Sequence, residues 1–286
     1  MPALAWLERI LEATPRLASP PKPFGIFHMT ALGLILGLFV LMIILHRRLP
    51  NSPKAVQRVL MIFALGLLGL EVGKQLVCSY DPSAGWAYNW EKFPFQFCSV
   101  PIYVALTAMC LPSCKAKQAL LCFLATYSPV AGASVLFYPA KSVFSDMVFL
   151  NVHTVVWHGA MLLFGLYLWL SGAIKAEWRT AGKAALVYVP LNFIALALNE
   201  ASYAWGFAAG YEFNMFYTGR LGRCTIPILL DIQEACPYPV FFVSYLVTLG
   251  VGGLLVTAVM VGIRWFGEKI YTRRLAGSWF DKRGNL

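Results

Sequence analysis

The sequence has little charge, since only 13% of its 286 residues are Asp, Glu, Lys or Arg, whereas about a quarter is usual in soluble proteins. Hydrophobic residues make up 59% of the chain. This composition excludes an ordinary soluble domain and indicates an integral membrane protein. A glycine-rich phosphate loop and a Gly-x-Ser-x-Gly elbow are also missing, so no motif supports a nucleotide-binding protein or a serine hydrolase of that class.

Two cofactor classes lose support from further absences. His153 and His158 are five residues apart without a clustered carboxylate, which is not the i, i+4 pattern of a zinc site. Retinal proteins need a lysine in their last span, and the segment from Tyr238 to Phe266 contains none. We therefore expect no metal and no other cofactor.

Long apolar windows are abundant. A hydrocarbon core of about 30 Å requires about 20 apolar residues in a helix. Seven windows of roughly this kind run from Phe24 to His46, Val59 to Tyr80, Phe95 to Pro112, Ala119 to Tyr138, Met147 to Ser171, Ala184 to Trp205 and Tyr238 to Phe266. They predict an all-α polytopic membrane protein, a seven-transmembrane-helix bundle over residues 24–266.

The net charge of +10 is unevenly distributed. Of the 23 Lys and Arg residues, 15 fall on the side that holds the carboxyl terminus and seven on the other, with Lys74 inside a window. The positive-inside rule then places the amino terminus outside and the carboxyl terminus in the cytoplasm. The charge therefore indicates topology rather than a nucleic-acid partner, and we expect a multi-pass protein of a bacterial cytoplasmic membrane.

The terminal segments differ from the apolar windows. Residues 1–23 lack the basic start of a signal peptide, and "ALAWLERILEA" predicts a short amphipathic helix at the interface. A solvated helix without lipid contact is the alternative. Residues 267–286 are predicted to form a basic cytoplasmic tail. The chain has seven cysteines; Cys224 and Cys236 would form a disulfide if their compartment is oxidising, which their spacing leaves open.

Ionisable residues inside the windows carry the most information, because each costs about 2.5–3.5 kcal/mol on insertion scales. Glu71 and Lys74 in "LEVGKQL" share a helical face and can neutralise each other, with Gln75 beside them. The pair either fixes helix packing or borders a polar cavity. In the fifth window His153 and His158 point about 140° apart, so we expect one to be functional and the other to pack or lie at the interface.

Amide side chains are expected at a similar depth. Asn192 and Asn199 are seven residues apart and share a face of the sixth window, with Glu200 near its outer boundary. The aromatic segment that follows is predicted to fold back over the outer opening with Asn214 pointing inward. All of these residues fall in the predicted outer half of the bilayer and could line one pocket.

The thiol in "FPFQFCSVPIY" is the candidate nucleophile. An imidazole near Cys98 would help to form its thiolate, which could attack an acyl ester and hold the chain as a thioester. Asn199 or Asn214 could then stabilise the oxyanion. The alternative is that Cys98 is a small, inert apolar residue.

Several motifs together resemble the YwaF family of bacterial integral membrane proteins. They are "LEVGKQL", "FPFQFCSVPIY", "TYSPVAGASVLFYP", "VVWHGAMLLFGLYL" and "LNEASYAWGFAAGYEFNMFY", in that order, over about 150 residues. The family is related to a eukaryotic transmembrane acyltransferase that acts on arachidonoyl phospholipids, and more distantly to androgen-induced fatty-acyl ester hydrolases. The resemblance implies a seven-helix bundle with a lipid-type pocket inside the membrane.

The resemblance also implies roles for individual residues. It places the acyltransferase nucleophile on Cys98 and selects His158 over His153 as the base. The family's Glu and Lys pair falls on Glu71 and Lys74, and its Asn-Phe-Met-Tyr-like element falls on 214–217. This chain has Gln96 where many relatives have His, so any chemistry carried by that His is absent here.

These observations predict a thiol-dependent acyltransferase or lipid acyl hydrolase that acts on fatty-acyl esters or phospholipids, with membrane lipids as partners. The expected pocket residues are Glu71, Lys74, Gln75, Gln96, His153, Asn192, Asn199, Glu200 and Asn214. Two other functions stay open. One is a transporter or binding protein whose polar pocket holds a small solute or lipid headgroup, and the other is a structural membrane subunit. Substrate, acyl acceptor and oligomeric state do not follow from the sequence.

Overall fold

The computed structural model describes residues 4–140 and 143–281. Its helices, in chain order, are α1 (Ala5–Glu12), α2 (Ile26–Ile44), α3 (Pro53–Ser79), α4 (Pro101–Cys110), α5 (Lys115–Phe137), α6 (Val148–Leu170), α7 (Arg179–Trp205), α8 (Leu229–Ala235) and α9 (Tyr238–Asp281). A short antiparallel pair joins β1 (Tyr80–Asp81) to β2 (Gly85–Trp86), and 3-10 turns lie at His46–Arg48, Trp90–Lys92 and Met215–Tyr217. Parts of the predicted amino-terminal segment, of the charge count and of the predicted tail, namely residues 1–3, 141 and 282–286, lie outside the described residues.

Six helices of the described chain are long and apolar enough to cross a bilayer: α2, α3, α5, α6, α7 and α9. Large apolar side chains on their outward faces stay uncovered; Leu34 is 67% exposed and Val259 is 59% exposed. Continuous apolar surface of this kind is rare on proteins that live in water but natural against lipid. The chain is therefore an all-α, multi-pass integral membrane protein.

The third predicted window differs from the expectation. Its helix, α4, has only 10 residues, about 15 Å of rise. It starts at Pro101, where the fixed φ and missing N–H suit the first helical turn. Residues 93–100, expected to be partly helical, form an irregular segment instead. Gln57 Nε2, near the start of α3, donates to the Met109 carbonyl at the end of α4 (2.9 Å), so this segment and α4 together run antiparallel to α3.

Contacts between helix ends define the two ends of the bundle. The Tyr167 hydroxyl near the end of α6 donates to the Pro50 carbonyl before α3 at 2.7 Å. We call this end, which carries the α2–α3, α4–α5 and α6–α7 connections, the basic end. At the opposite end, His28 near the start of α2 accepts from the Phe24 N–H at Nδ1 and donates from Nε2 to the Leu136 carbonyl of α5.

Helix α5 is the centre of the bundle. Two-thirds of its apolar window (67%) is buried by other parts of the protein, against 11% for α9. Gly132 lets α6 approach closely, since a Cβ atom at this position would lie 2.6 Å from the His158 carbonyl oxygen. Small residues at such crossings are typical of helix packing in membranes. The position of His158 is thus set by direct backbone contact with α5.

Helix α1 packs through polar contacts at the end of the bundle opposite the basic end. Its Glu8 accepts from the Trp86 indole at 2.9 Å and its Glu12 from the Tyr80 hydroxyl at 2.8 Å. Trp6 on the other face is 62% exposed. Helix α1 is therefore amphipathic and fixed to the β1–β2 turn, and its contact with lipid stays a prediction.

Candidate functional site

The irregular segment 93–100 lies against the middle of α6. The Trp157 indole N–H donates to the Cys98 carbonyl at 2.8 Å, and this bond places the Cys98 backbone against α6 at the residue before His158. Consecutive side chains of a helix point about 100° apart, so the bond orients Trp157 and not His158 toward the segment. Irregular backbone at membrane depth is tolerated only where its polar groups are buried in protein or line a cavity. The hydrogen-bond partners of segment 93–100 therefore determine how it is held in the bundle.

Gln96 joins the segment to the loop that follows α7. Its Nε2 donates to the Asn214 carbonyl and its Oε1 accepts from the Phe216 N–H, both at 2.9 Å. The side-chain amide of Gln96 thus pairs with one carbonyl and one N–H of the loop backbone, as a residue of a neighbouring β-strand would. Gln96, at the position where the resemblance predicts His, is thus a structural link between two irregular segments.

Two further amides stabilise the same loop. Asn199 Oδ1 accepts from the Met215 N–H at 2.6 Å, and its Nδ2 donates to the Met215 carbonyl at 3.0 Å and the Thr218 hydroxyl at 3.4 Å. Asn214 Oδ1 accepts from the Gly219 N–H at 2.8 Å, and its Nδ2 donates to the Arg223 carbonyl at 3.1 Å. We call Gln96, Asn199 and Asn214 the amide cluster.

The hydrogen bonds of Asn199 and Asn214 do not fit the oxyanion role expected for them from the sequence. A donor that stabilises an oxyanion must point at the reacting atoms. Both donor hydrogens of Asn199 are used by the loop, and Asn214 bonds to backbone through both of its polar atoms. These contacts assign Asn199 and Asn214 to loop stabilisation rather than to the oxyanion.

The stabilised loop carries backbone strain. Phe216 and Tyr217 both have a φ of 57°, a left-handed conformation that costs non-glycine residues on the order of 1–3 kcal/mol each. Met215 and Phe216 are fully buried, so the loop does fold back into the bundle as the sequence predicts. The amide cluster supplies the bonds that hold this strained turn against the segment before α4.

Glu71 and Lys74 form an ion pair in the last third of α3. Lys74 Nζ lies 2.8 Å from Glu71 Oε1, and the same oxygen accepts from Gln75 Nε2 at 2.7 Å. Gln75 Nε2 also donates to the Lys92 carbonyl at 2.7 Å, which attaches the β2–α4 connection to α3. Glu71 Oε2 and Gln75 Oε1 are buried without a hydrogen-bond partner.

The two histidines of α6 are both buried, with different surroundings. His158 Nδ1 lies 2.7 Å from the Thr154 carbonyl, which accepts hydrogen bonds only, so the proton is on Nδ1. Its Nε2 is then an unprotonated acceptor, buried and without a partner. His153 stacks on Trp157 with ring centroids 5.2 Å apart. Its Nε2 is also unpaired.

The Cys98 thiol lies in the electrostatic field of the same charged pair. The thiol is free and partly exposed. Lys74 lies within electrostatic range of Cys98, His153 and His158. Within the described part of the chain, the Nε2 atoms of both imidazoles have no hydrogen-bond partner, so the structure brings these groups into one region without a hydrogen bond from Cys98 to either Nε2.

Comparison with known proteins agrees with this architecture. A family model described as the TMEM164 family matches residues 23–261. The chain belongs to the TMEM164 family. The TMEM164 match includes Cys98, His158 and the whole amide cluster, and this family is a transmembrane one, as the composition indicates. The more specific resemblance to YwaF proteins stays a prediction. No curated protein and no solved structure matches the chain.

Two further predicted pocket residues have partners outside the groups described so far. Asn192 is fully buried and donates to the Tyr188 carbonyl of its own helix at 2.8 Å. Glu200 pairs with Arg220 at 3.1 Å in a largely exposed position. Asn192 Oδ1 is buried without a hydrogen-bond partner in the described chain. Cys224 and Cys236 are free thiols, and burial raises the pKa of Cys224.

One residue that contacts Cys98 has no place in the sequence-based site. The Trp157 indole donates to the Cys98 carbonyl. Trp157 stands next to His158 in the sequence, so adjacency was the available signal. Sequence alone does not show which way the indole points.

Proposed function

We propose that this chain is a membrane-embedded, thiol-dependent acyltransferase or lipid acyl hydrolase, with Cys98 as nucleophile and His158 as general base. One observation carries the proposal. His158 has its proton fixed on Nδ1 by Thr154, its Nε2 is buried and unpaired, and its neighbour in the sequence, Trp157, donates to the Cys98 carbonyl. An imidazole held in this tautomer is prepared to accept a proton.

The chemistry follows ordinary acyl transfer. His158 Nε2 takes the proton of the thiol, and the sulfur attacks the carbonyl carbon of a fatty-acyl ester. A C–S bond forms as the ester C–O bond breaks, and the leaving alkoxide takes the proton from His158. An alcohol or water then attacks the thioester while His158 accepts its proton, and the thiol receives that proton back when the C–S bond breaks.

Charge stabilisation in this scheme comes from three groups that the amide cluster does not use. They are the Cys98 N–H and the Ser99 hydroxyl, which adjoin the thiol in the sequence, and Lys74, which lies within electrostatic range of it. Glu71 accounts for one of the three donor hydrogens of the Lys74 ammonium. These groups, rather than Asn199 or Asn214, are the proposed partners of the thiolate and the oxyanion.

The proposal includes a topology and a substrate class. The basic end faces the cytoplasm, the carboxyl terminus follows it there, and the segment 93–100 with α4 makes a seventh crossing in a bacterial cytoplasmic membrane. The substrate is a fatty-acyl ester or phospholipid of the opposite leaflet, because Cys98 precedes α4 and therefore lies in the half of the bundle away from the basic end.

The test is turnover of phospholipid by protein reconstituted in nanodiscs, read as released lysophospholipid. Cys98→Ala should lower the rate by at least about 1000-fold and His158→Gln by about 100-fold or more. Cys78→Ala removes a free, partly buried thiol of α3 and is the matched control; its rate should stay at the wild-type level. Equal rates for Cys98→Ala and Cys78→Ala would refute the assignment.

A second candidate function rests on the unpaired acceptors of α3. Glu71 Oε2 and Gln75 Oε1 are buried and would accept from an ammonium or hydroxyl group of a bound solute or lipid headgroup. In such a binding or transport protein, Glu71→Gln would abolish binding or uptake per folded molecule. Cys98→Ala would be nearly silent there, which is the opposite of the result expected for the enzyme.

A further inference from the structure

A large cavity opens at the basic end, away from Cys98. Its volume is about 1110 Å³, and it lies between the start of α3, the α4–α5 connection and the α6–α7 connection. Small-molecule sites usually measure about 300–1000 Å³, so the cavity has room for a headgroup-sized ligand. The proposed acyl chemistry does not use it.

The charged residues that line the cavity are all cationic. They are Lys54, Arg58, Lys115 and Lys117, and none of the described lining residues is Asp or Glu. Within the described chain, none of the four forms an ion pair with a carboxylate. Other carboxylates at this end are engaged elsewhere, since Glu177 pairs with Lys183 and Glu268 with Arg264. Four like charges around one space repel each other unless an anion enters it.

One of these cations is held in place by the protein. Lys117 Nζ donates to Gln57 Oε1 at 2.7 Å and to the Leu111 carbonyl at 2.9 Å. Gln57 in turn donates to the Met109 carbonyl. An ammonium group has three donor hydrogens, so one remains for a ligand. Two neutral oxygens orient this charge without neutralising it.

The backbone adds positive potential on two sides. Pro53 and Lys115, the first residues of α3 and α5, both line the cavity. These helices have 27 and 23 residues, and the start of each carries partial positive charge. Met61, at the cavity wall, is 42% exposed, so the cavity borders on the lipid-facing surface of α3.

From these features we infer a binding site for a phosphate group, the anion that combines high charge with several acceptor oxygens. Basic pockets between membrane helices are the usual place for anionic lipid headgroups. The phosphate can belong to an anionic phospholipid that enters past Met61 or to a soluble phosphate compound. The cavity begins where α4 ends, at Leu111, so an occupant would contact the helix that follows Cys98.

The chain contains a reporter and its control. Cys114 is a free, exposed thiol that lines the cavity, whereas Cys110 is free and exposed but does not line it. Purified full-length protein in neutral detergent is alkylated with a maleimide, and both thiols are followed by peptide mass spectrometry. The probes are dioctanoyl phosphatidic acid, dioctanoyl phosphatidylcholine and inorganic phosphate, each added separately.

We expect phosphatidic acid to slow alkylation of Cys114 by about 5-fold or more at a concentration well above its dissociation constant, with the rate at Cys110 unchanged. Protection should disappear in Lys54→Gln/Arg58→Gln/Lys115→Gln. It should persist in Arg47→Gln/Arg48→Gln/Lys175→Gln, which removes equal charge from the same end outside the cavity.

The outcomes separate the sources and can overturn the site. Protection by phosphatidic acid alone identifies a lipid phosphate, and equal protection by inorganic phosphate identifies a soluble one. Equal protection by phosphatidylcholine, equal slowing at Cys110, or persistence of the effect in the cavity variant would overturn the inference. In both variants, a wild-type alkylation rate at Cys110 without added probe serves as the check that the fold is intact, because removal of Lys115 changes the reactivity of the adjacent Cys114 directly.

Discussion

The two ends of the bundle use polar residues in opposite ways. In the half that holds Cys98, polar side chains are mostly buried and bonded to the protein itself, as Gln96 bonds to the loop after α7. At the basic end, Lys54, Arg58 and Lys115 are exposed and have no carboxylate partner among the described residues. Substitution of a buried, hydrogen-bonded polar residue is expected to affect folding, whereas substitution of an exposed cation at the basic end is expected to affect binding only. The predictions that follow test this difference.

The largest effect is expected at the buried ion pair. Glu71→Gln leaves the Lys74 ammonium, whose side chain is only 16% exposed, without its carboxylate. Breaking a buried pair from one side costs about 3–5 kcal/mol. Unfolding of purified protein should show this loss, and Glu71→Gln/Lys74→Gln should recover part of it because no uncompensated charge remains. A single variant as stable as wild type would contradict the account.

A smaller loss is expected in the amide cluster. Gln96→Leu keeps the side-chain size but leaves the Phe216 N–H without a partner, and it removes one of two donors to the Asn214 carbonyl, which retains the Tyr217 N–H at 3.2 Å. An unsatisfied buried N–H costs about 1–3 kcal/mol and the second lost bond about 1 kcal/mol, so the free energy of unfolding should fall by about 2–4 kcal/mol. Gln96→Glu retains an acceptor for Phe216 and separates the contribution of the two bonds. Unchanged stability in Gln96→Leu would show that the loop does not depend on this link.

The third effect concerns helix packing at His158. A methyl group at Gly132 would lie 2.6 Å from the His158 carbonyl oxygen, and overpacking of this kind costs about 1–3 kcal/mol. Gly132→Ala should be destabilised and should lower turnover by displacing His158. Gly182→Ala, in α7 with open space around the Cβ position, is the matched control and should be neutral or slightly stabilising. Equal behaviour of the two variants would contradict the packing of α5 against α6.

The smallest effect is expected at the basic end. Lys54→Gln/Arg58→Gln/Lys115→Gln removes three exposed charges that form no ion pair within the described chain, and surface changes are usually within about 0.5 kcal/mol each. In the absence of added anions, relief of repulsion should make the variant as stable as wild type or slightly more stable. If the free energy of unfolding fell as much as in Gln96→Leu, polar residues at the two ends would contribute equally to stability, which would contradict the comparison.

Much of the fold follows from the sequence, and the exceptions have physical causes. Hydropathy locates the six long helices because their lipid-facing sides must be apolar. The predicted windows begin later than α3 and α7 do. A hydropathy window excludes the charged residues at its end, whereas the helix extends through them to its cap. Hydropathy also treats residues 95–100 as helical, because buried irregular backbone can be as apolar as a helix. Pro101, a favoured first helical residue, was the signal that corrects this boundary.

The candidate site was predictable in its residues but less so in their roles. Glu71, Lys74 and both histidines were singled out because polar residues at membrane depth need an explanation, and only the family resemblance separated His158 from His153. The roles of Cys98 and His158 stay predictions. Asn199 was assigned to an oxyanion, although its amide serves the loop backbone. A single sequence does not show whether an amide faces a ligand or a peptide group. The cationic cavity was missed for a similar reason, since its lysines were used only as a topology signal.

The central claim is that Cys98 becomes acylated with the help of His158. Protein in nanodiscs is mixed with phospholipid, quenched in acid, and Cys98 is examined by mass spectrometry for a fatty-acyl addition that neutral hydroxylamine removes. The account predicts this thioester on Cys98 in wild type and in Cys78→Ala, and far less of it in His158→Gln. An addition of equal yield in wild type and His158→Gln, or one found only on other cysteines, would contradict it.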